Sequence, residues 1–314
     1  MEADISPRTP LATPGWWPQC RQAIQQHPLT AASLAIALTG VLLLLLQSVI
    51  LLWSGQGGEG ARYGMIGGLA GFTTTALGAL PALFLRNLPQ RLEDAMLGFA
   101  AGMMLAASAF SLILPGLEAA TTLTGHAGLG AGIVVIGMTL GVLLMLGLDQ
   151  FTPHEHDKTG PCGPGHDNCS RVWLFVFAIA LHNIPEGMAI GVSFAHADMS
   201  VGLPLTTAIA LQDIPEGLAV ALALCAAGFR APFAVLVAIL SGVLEPVGAL
   251  IGIGLASGLA VAYPIGLGLA AGAMLFVVSH EVIPETHRNG HQTAATLGLM
   301  VGFALMMTLD TALG

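Results

Sequence analysis

Long apolar runs separated by short polar stretches make up nearly the whole chain. After a polar, proline-rich opening at residues 1–31, hydrophobic residues dominate 32–54, 63–85, 93–115, 127–149, 172–195, 202–225, 231–256, 262–282 and 292–313. Each run is close to the ~20 helical residues that a bilayer core about 30 Å thick requires. The pattern predicts nine transmembrane helices in an all-α, polytopic membrane bundle. The first run exceeds the length of a signal-peptide core and no small-residue cleavage site follows it, so it reads as a genuine span. It forms an extra N-terminal helix, 32–54, ahead of an eight-helix unit over 63–314 that contains one long polar loop, 150–171.

Composition sharpens this picture. Only 9% of the 314 residues are charged, against about 25% in soluble domains, and the mean hydropathy is +0.81. No soluble domain is evident. Glycine occurs 41 times, nearly twice its ordinary share of about 7%. In lipid, such small residues let helices approach closely, which points to a tightly packed bundle. The four cysteines, at 20, 162, 169 and 225, form no CxxC pair and imply no disulfide framework. A net charge of −9 argues against a nucleic-acid partner.

Orientation follows from the basic residues. With the N-terminus inside, Arg8, Arg21, Arg86, Arg91, Lys158, Arg171, Arg230 and Arg288 fall on the cytoplasmic side and only Arg62 falls outside. The N-terminus is therefore expected in the cytoplasm and the C-terminus outside the cell's inner membrane.

Two related hexapeptides interrupt the apolar pattern: His182-Asn183-Ile184-Pro185-Glu186-Gly187 and Gln212-Asp213-Ile214-Pro215-Glu216-Gly217. At 1.5 Å per residue, His182 and Gln212 each lie about 15 Å into their helices, Met104 about 16 Å and Glu245 about 21 Å. All four positions are near the midplane. His182 and Glu186 are four apart and share a helix face, as do Gln212 and Glu216; Asn183 and Asp213 are offset by one position. Each proline lacks an N–H and frees the carbonyl four residues earlier, at Leu181 and Leu211. Such carbonyls are tolerated at membrane depth where they line a cavity. Glu245-Pro246 repeats the theme.

Glu186, Asp213, Glu216 and Glu245 bring four acids to one depth. Each costs about 2.5–3.5 kcal/mol at a helix centre, together on the order of 10. No Lys or Arg in any span compensates, so protons or bound cations must. Two divalent ions would balance four carboxylates, with Glu186 and Glu216 placed to bridge. Imidazole, carboxylate and amide oxygen suit Zn2+, Fe2+, Mn2+ or Cd2+. The absence of thiolate argues against Cu+. A polar network that merely holds helices together is the competing reading, and three elements at one depth weigh against it.

The HNxPEG signature at 182–187 and QDIPEG at 212–217 resemble the fourth and fifth helices of the ZIP family of zinc and iron permeases. The resemblance covers roughly residues 63 to 314, a transport domain, and leaves the extra first span outside it. It implies import of a divalent metal into the cytoplasm, with zinc the leading candidate and iron, manganese or cadmium alternatives. The metal is cargo, and no cofactor is implied. It also implies one ion position built from His182, Glu186, Gln212 and Glu216. A second would be built from Asn183, Asp213, Glu186, Glu216 and Glu245, with Met104 at a pore-lining position. The family fold has two three-helix units related by a pseudo-two-fold axis around the fourth and fifth helices, and is often homodimeric.

Asp149, His280, Glu281, Glu285, His287 and His291 gather at the expected cytoplasmic ends of two spans and suggest an exit route. Loop 150–171, with His154, Glu155, His156, Cys162, His166 and Cys169, can bind metal weakly or serve as a plain linker. Outside, Glu59, Glu118, His126, His196, Asp198 and Asp310 could concentrate cations. A membrane-bound carboxylate-bridged di-metal enzyme is an alternative, but such centres usually carry two Glu-x-x-His units and this chain has none at that depth. A proton-coupled solute transporter is a second alternative.

Overall fold

A computed structural model describes residues 24–25, 28–85, 88–151, 154–156, 160–162 and 171–313. The bundle consists of α1 (Ala31–Trp53), α2 (Gly58–Leu83), α3 (Gln90–Thr124), α4 (Ala127–Asp149), α5 (Arg171–Ser193), α6 (Met199–Ala226), α7 (Ala231–Ala256), α8 (Ala262–His287) and α9 (Gln292–Leu313). Eight of these are long and apolar enough to cross a membrane, and α5, of 23 residues, carries the first hexapeptide. The protein is a multi-pass membrane protein. Large apolar side chains such as Leu42, Leu43, Ile136, Leu236 and Leu297 point outward, as a lipid-facing surface requires. The loop after α4 contributes a short antiparallel hairpin, His154–His156 against Gly160–Cys162. Cys20, Lys158, His166, Asp167 and Cys169 lie outside the described residues, as do the side chains of His154, Glu155, His156 and Cys162.

The ends of several helices depart from the apolar runs, because caps and turns end a helix rather than loss of hydrophobicity. Helix α2 begins five residues earlier than expected, at Gly58, with Glu59 in its first turn, where an acid meets the positive helix terminus. Helix α6 begins at Met199, where Asp198 accepts from the Ser200 N–H at 2.9 Å. Helix α7 is not continuous. It stops at Gly242 and resumes at Leu244, with Glu245 in the first turn of the second half. Pro246 has no N–H to return to the Gly242 carbonyl, which accounts for the break. By contrast, Pro185 and Pro215 sit inside unbroken helices.

Helices α3 and α8 each contain a π-turn, Ser108–Ile113 and Val278–Val282. A proline lies just beyond each, Pro115 and Pro284. Helix α3 packs along α9, α8 along α4, the second half of α7 along α5, and α2 along α6. The two three-helix units, α2–α4 and α7–α9, thus exchange partners symmetrically around α5 and α6.

Glycine rows set these contacts. A Cβ on Gly98 or Gly102 of α3 would overlap the backbone carbonyl of Ala295 or Leu299, and one on Gly298 or Gly302 of α9 would overlap that of Ala95 or Phe99. Gly137 and Gly141 against Gly268 and Gly272 repeat the arrangement between α4 and α8. This is small-residue packing without a hydrophobic driving force, as lipid demands. Helix α1 docks on the outside of the second half of α7. Ser48 Oγ donates to the Leu250 carbonyl at 2.6 Å and Gln47 Nε2 to Ser257 Oγ at 2.8 Å.

Candidate metal centre

Helices α5, α6 and the break in α7 meet around the expected residues. His182, Asn183, Glu186, Gln212, Asp213, Glu216 and Glu245 are all buried, none more than 4% exposed. Glu186, Asp213 and Glu216 each offer a carboxylate oxygen within 4.8 Å of the others. The contacts run across the two helices: His182 Nδ1 lies 3.9 Å from Glu216 Oε1, and the Gln212 amide donates to Glu186 Oε1. Zinc-bound oxygens lie about 2.0–2.2 Å from the ion and so no more than ~4.4 Å apart. The upper separation of 4.8 Å within the trio is close to that limit.

Hydrogen bonding leaves much of this cluster unanswered. Glu186 Oε2, both Glu216 oxygens, Glu245 Oε2, Gln212 Oε1, Asn183 Nδ2 and both His182 ring nitrogens are buried without a hydrogen-bond partner. Buried acceptors in that state are costly. The described basic side chains Arg62, Arg91, Arg230 and Arg288 stand near helix ends. The donor set, carboxylates with imidazole and amide oxygen, fits a borderline divalent cation.

One wall of the site comes from α2, which the apolar pattern alone did not bring into it. Thr75 Oγ1 donates to Glu245 Oε1 at 2.5 Å, and Thr74 Oγ1 lies 3.3 Å from Asp213 Oδ2. Gly71 matters because a Cβ there would overlap Glu245 Oε2. The only sequence signal was a Gly-x-x-Thr-Thr stretch in an apolar run. Met104, expected at the pore, is buried in the apolar core cluster that includes Met103, Leu267 and Met274.

The expected exit residues separate into two groups. Glu281 Oε2 lies 3.5 Å from His182 Nε2, and, separately, His280 Nε2 lies 3.8 Å from Asp149 Oδ2 at the end of α4. The other three have different partners. Glu285 pairs with Arg288 at 2.9 Å, and His287 Nδ1 lies 3.0 Å from the Ile283 carbonyl. His291 Nδ1 lies 2.8 Å from Asp94 Oδ2, while Asn289 donates to Asp94 Oδ1 at 3.0 Å. Asp94 is 1% exposed and was missed, since an acid near a helix start reads as a surface group. At the opposite end, Asp310 accepts from Ser111 at 2.6 Å, His126 Nδ1 accepts from the Gly128 N–H, and His196 packs edge-on against Tyr263.

Fold and site together define a polytopic membrane protein that carries a cation-type cluster between its helices. Residues 152–310 match the family model described as ZIP Zinc transporter. The chain is 64% identical over 290 residues to zinc transporter ZIPB of Bordetella bronchiseptica, covering 92% of this chain and 94% of that protein. It is 43% identical over 252 residues to zinc transporter GufA of Myxococcus xanthus, covering 80% and 99%. It is 36% identical over 248 residues to zinc transporter ZupT of Stenotrophomonas maltophilia, covering 76% and 91%. The chain belongs to the ZIP family.

Proposed function

We propose that this protein carries divalent metal ions, zinc foremost, across the cell's inner membrane into the cytoplasm. The ions pass through a two-ion position built by α5, α6 and α7. The observation that carries the reading is the Glu186–Asp213–Glu216 trio, buried and mutually within 4.8 Å. Such charge is tolerable in hydrocarbon only when neutralised, and divalent cargo does so transiently. His182, Gln212 and Glu216 with Glu186 hold one ion; Asn183, Asp213 and Glu245 with the same two bridging glutamates hold the other. Asp149, His280 and Glu281 receive the ion on the cytoplasmic side.

Curated relatives at 64% and 43% identity are named zinc transporters, which favours transport over di-metal oxidation chemistry. Iron, manganese and cadmium remain competing cargo for the same donors. The distribution of basic residues supports a cytoplasmic N-terminus, and the family resemblance supports a homodimer. Zinc uptake into proteoliposomes tests the reading. The intact protein should accumulate zinc and Glu186→Ala should not; equal uptake by both would refute it.

A further inference from the structure

Helix α2 has no carboxylate or imidazole at the level of the acid cluster, yet it touches two of the acids. Thr73 returns its hydroxyl proton to the Leu69 carbonyl at 2.7 Å. Thr74 has the Gly71 carbonyl at 2.8 Å, nearer than Asp213 at 3.3 Å, and one proton to give. Back-bonding of this kind is the ordinary behaviour of a threonine inside a helix. Thr75 departs from it and donates across to Glu245 Oε1 at 2.5 Å.

Packing holds Thr75 in that pose. Its carbonyl oxygen occupies the space that a Cβ on Gly217 would need, and its Cβ and Cγ2 lie 3.0 Å from where a Cβ on Gly242 would sit. Thr75 is therefore wedged between the residue after Glu216 and the residue before the break in α7. With Oε1 engaged, Oε2 is the Glu245 oxygen left without a partner. That oxygen fills the gap beside Gly71, which Asp213 Oδ2 also faces.

We propose that Thr75 is a positioning residue for cation binding at Glu245. Its hydroxyl pins one carboxylate oxygen so that the other is presented to an ion shared with Asp213. Thr75 thereby sets the affinity of the second of the two ion positions. This rests on reading the cluster as a two-ion transport site.

Calorimetric titration of the full-length protein with Cd2+, paired with Zn2+ uptake into proteoliposomes, tests it on wild type, Thr75→Val and Thr75→Ser. Valine keeps the shape and loses the hydroxyl; serine keeps the hydroxyl and loses the methyl. The wild type should bind two ions. Thr75→Val should weaken the second about 10–100-fold, the usual effect of losing an outer partner of a ligand, and leave the first within about twofold. Thr75→Ser should match the wild type. If Thr75→Val does not fold, Thr75→Ala carries the same expectation. Equal second-ion affinity in all variants overturns the proposal. So does a loss in the serine variant with none in the valine variant, which assigns Thr75 to packing. A wild type that binds a single ion overturns it as well. A wild type that binds no Cd2+ and moves no Zn2+ overturns instead the transport reading beneath it.

Discussion

Nε2 of His182 lies 3.5 Å from Oε2 of Glu281, although the two belong to different helices, α5 and α8. The link depends on the π-turn Val278–Val282, which inserts a residue into α8 and rotates the last turns of that helix. His182 thereby faces Glu216 through one nitrogen and Glu281 through the other. On the proposed exit route, an ion would have a shared imidazole between the carboxylates it leaves and the one it meets next. Glu281→Gln should therefore lower zinc turnover about tenfold or more, the low end of the effect of losing an outer partner of a metal ligand. Equilibrium affinity for the first ion should change by less. Parallel uptake and binding measurements check this; equal losses in both would remove Glu281 from the path.

Removing one acid from a crowded buried cluster relieves repulsion when no cation is present. Glu216→Gln should melt no lower than the wild type in chelator. The wild type should gain about 2.7 kcal/mol of stability at a zinc concentration one hundred times its Kd, and Glu216→Gln should gain almost none. Thermal denaturation in detergent, with and without zinc, reads both quantities.

The glycine rows make a separate prediction about the frame. A side chain at Gly302 must displace the Phe99 backbone of α3, so Gly302→Leu should cost about 1–3 kcal/mol or more through overpacking. Leu297, on the same helix, is 61% exposed. Leu297→Ala should stay within about 0.5 kcal/mol. Chemical denaturation of both variants in one detergent provides the comparison.

Helix α1 touches the second half of α7, away from the carboxylates. Ser48→Ala with Gln47→Ala removes the two polar contacts described above. Interhelical hydrogen bonds in membranes average ~0.6 kcal/mol, so about 1 kcal/mol of stability should be lost. Zinc uptake should be preserved. Proteolysis of the α1–α2 turn measures the loosening, and a loss of uptake would give α1 a part in transport.

Much of the site could be read from spacing alone. His182 with Glu186, and Gln212 with Glu216, lie one helical turn apart, and a straight helix brings such pairs together whatever the surroundings. Glu245 was legible from its depth and the proline beside it, but the break in α7 that presents it was not, since Pro185 and Pro215 pass through unbroken helices. Glu281 was assigned to a route further out because its reach to His182 depends on a π-turn, and helical periodicity carries no sign of one. Thr75 was invisible for a chemical reason. Thr73, Thr74 and Thr75 are consecutive in sequence, and only tertiary packing decides which sends its proton across to an acid. Asp94 was hidden similarly, because its partners Asn289 and His291 come from the far end of the chain.

The central claim is that buried carboxylates on α5, α6 and α7 converge on divalent metal. Anomalous diffraction from crystals soaked in Cd2+ tests it most directly. Strong peaks should appear bridged by Glu186 and Glu216, one towards His182 and one towards Asp213 and Glu245. Crystals that take up Cd2+ elsewhere on the protein while this cluster shows no peak would contradict it.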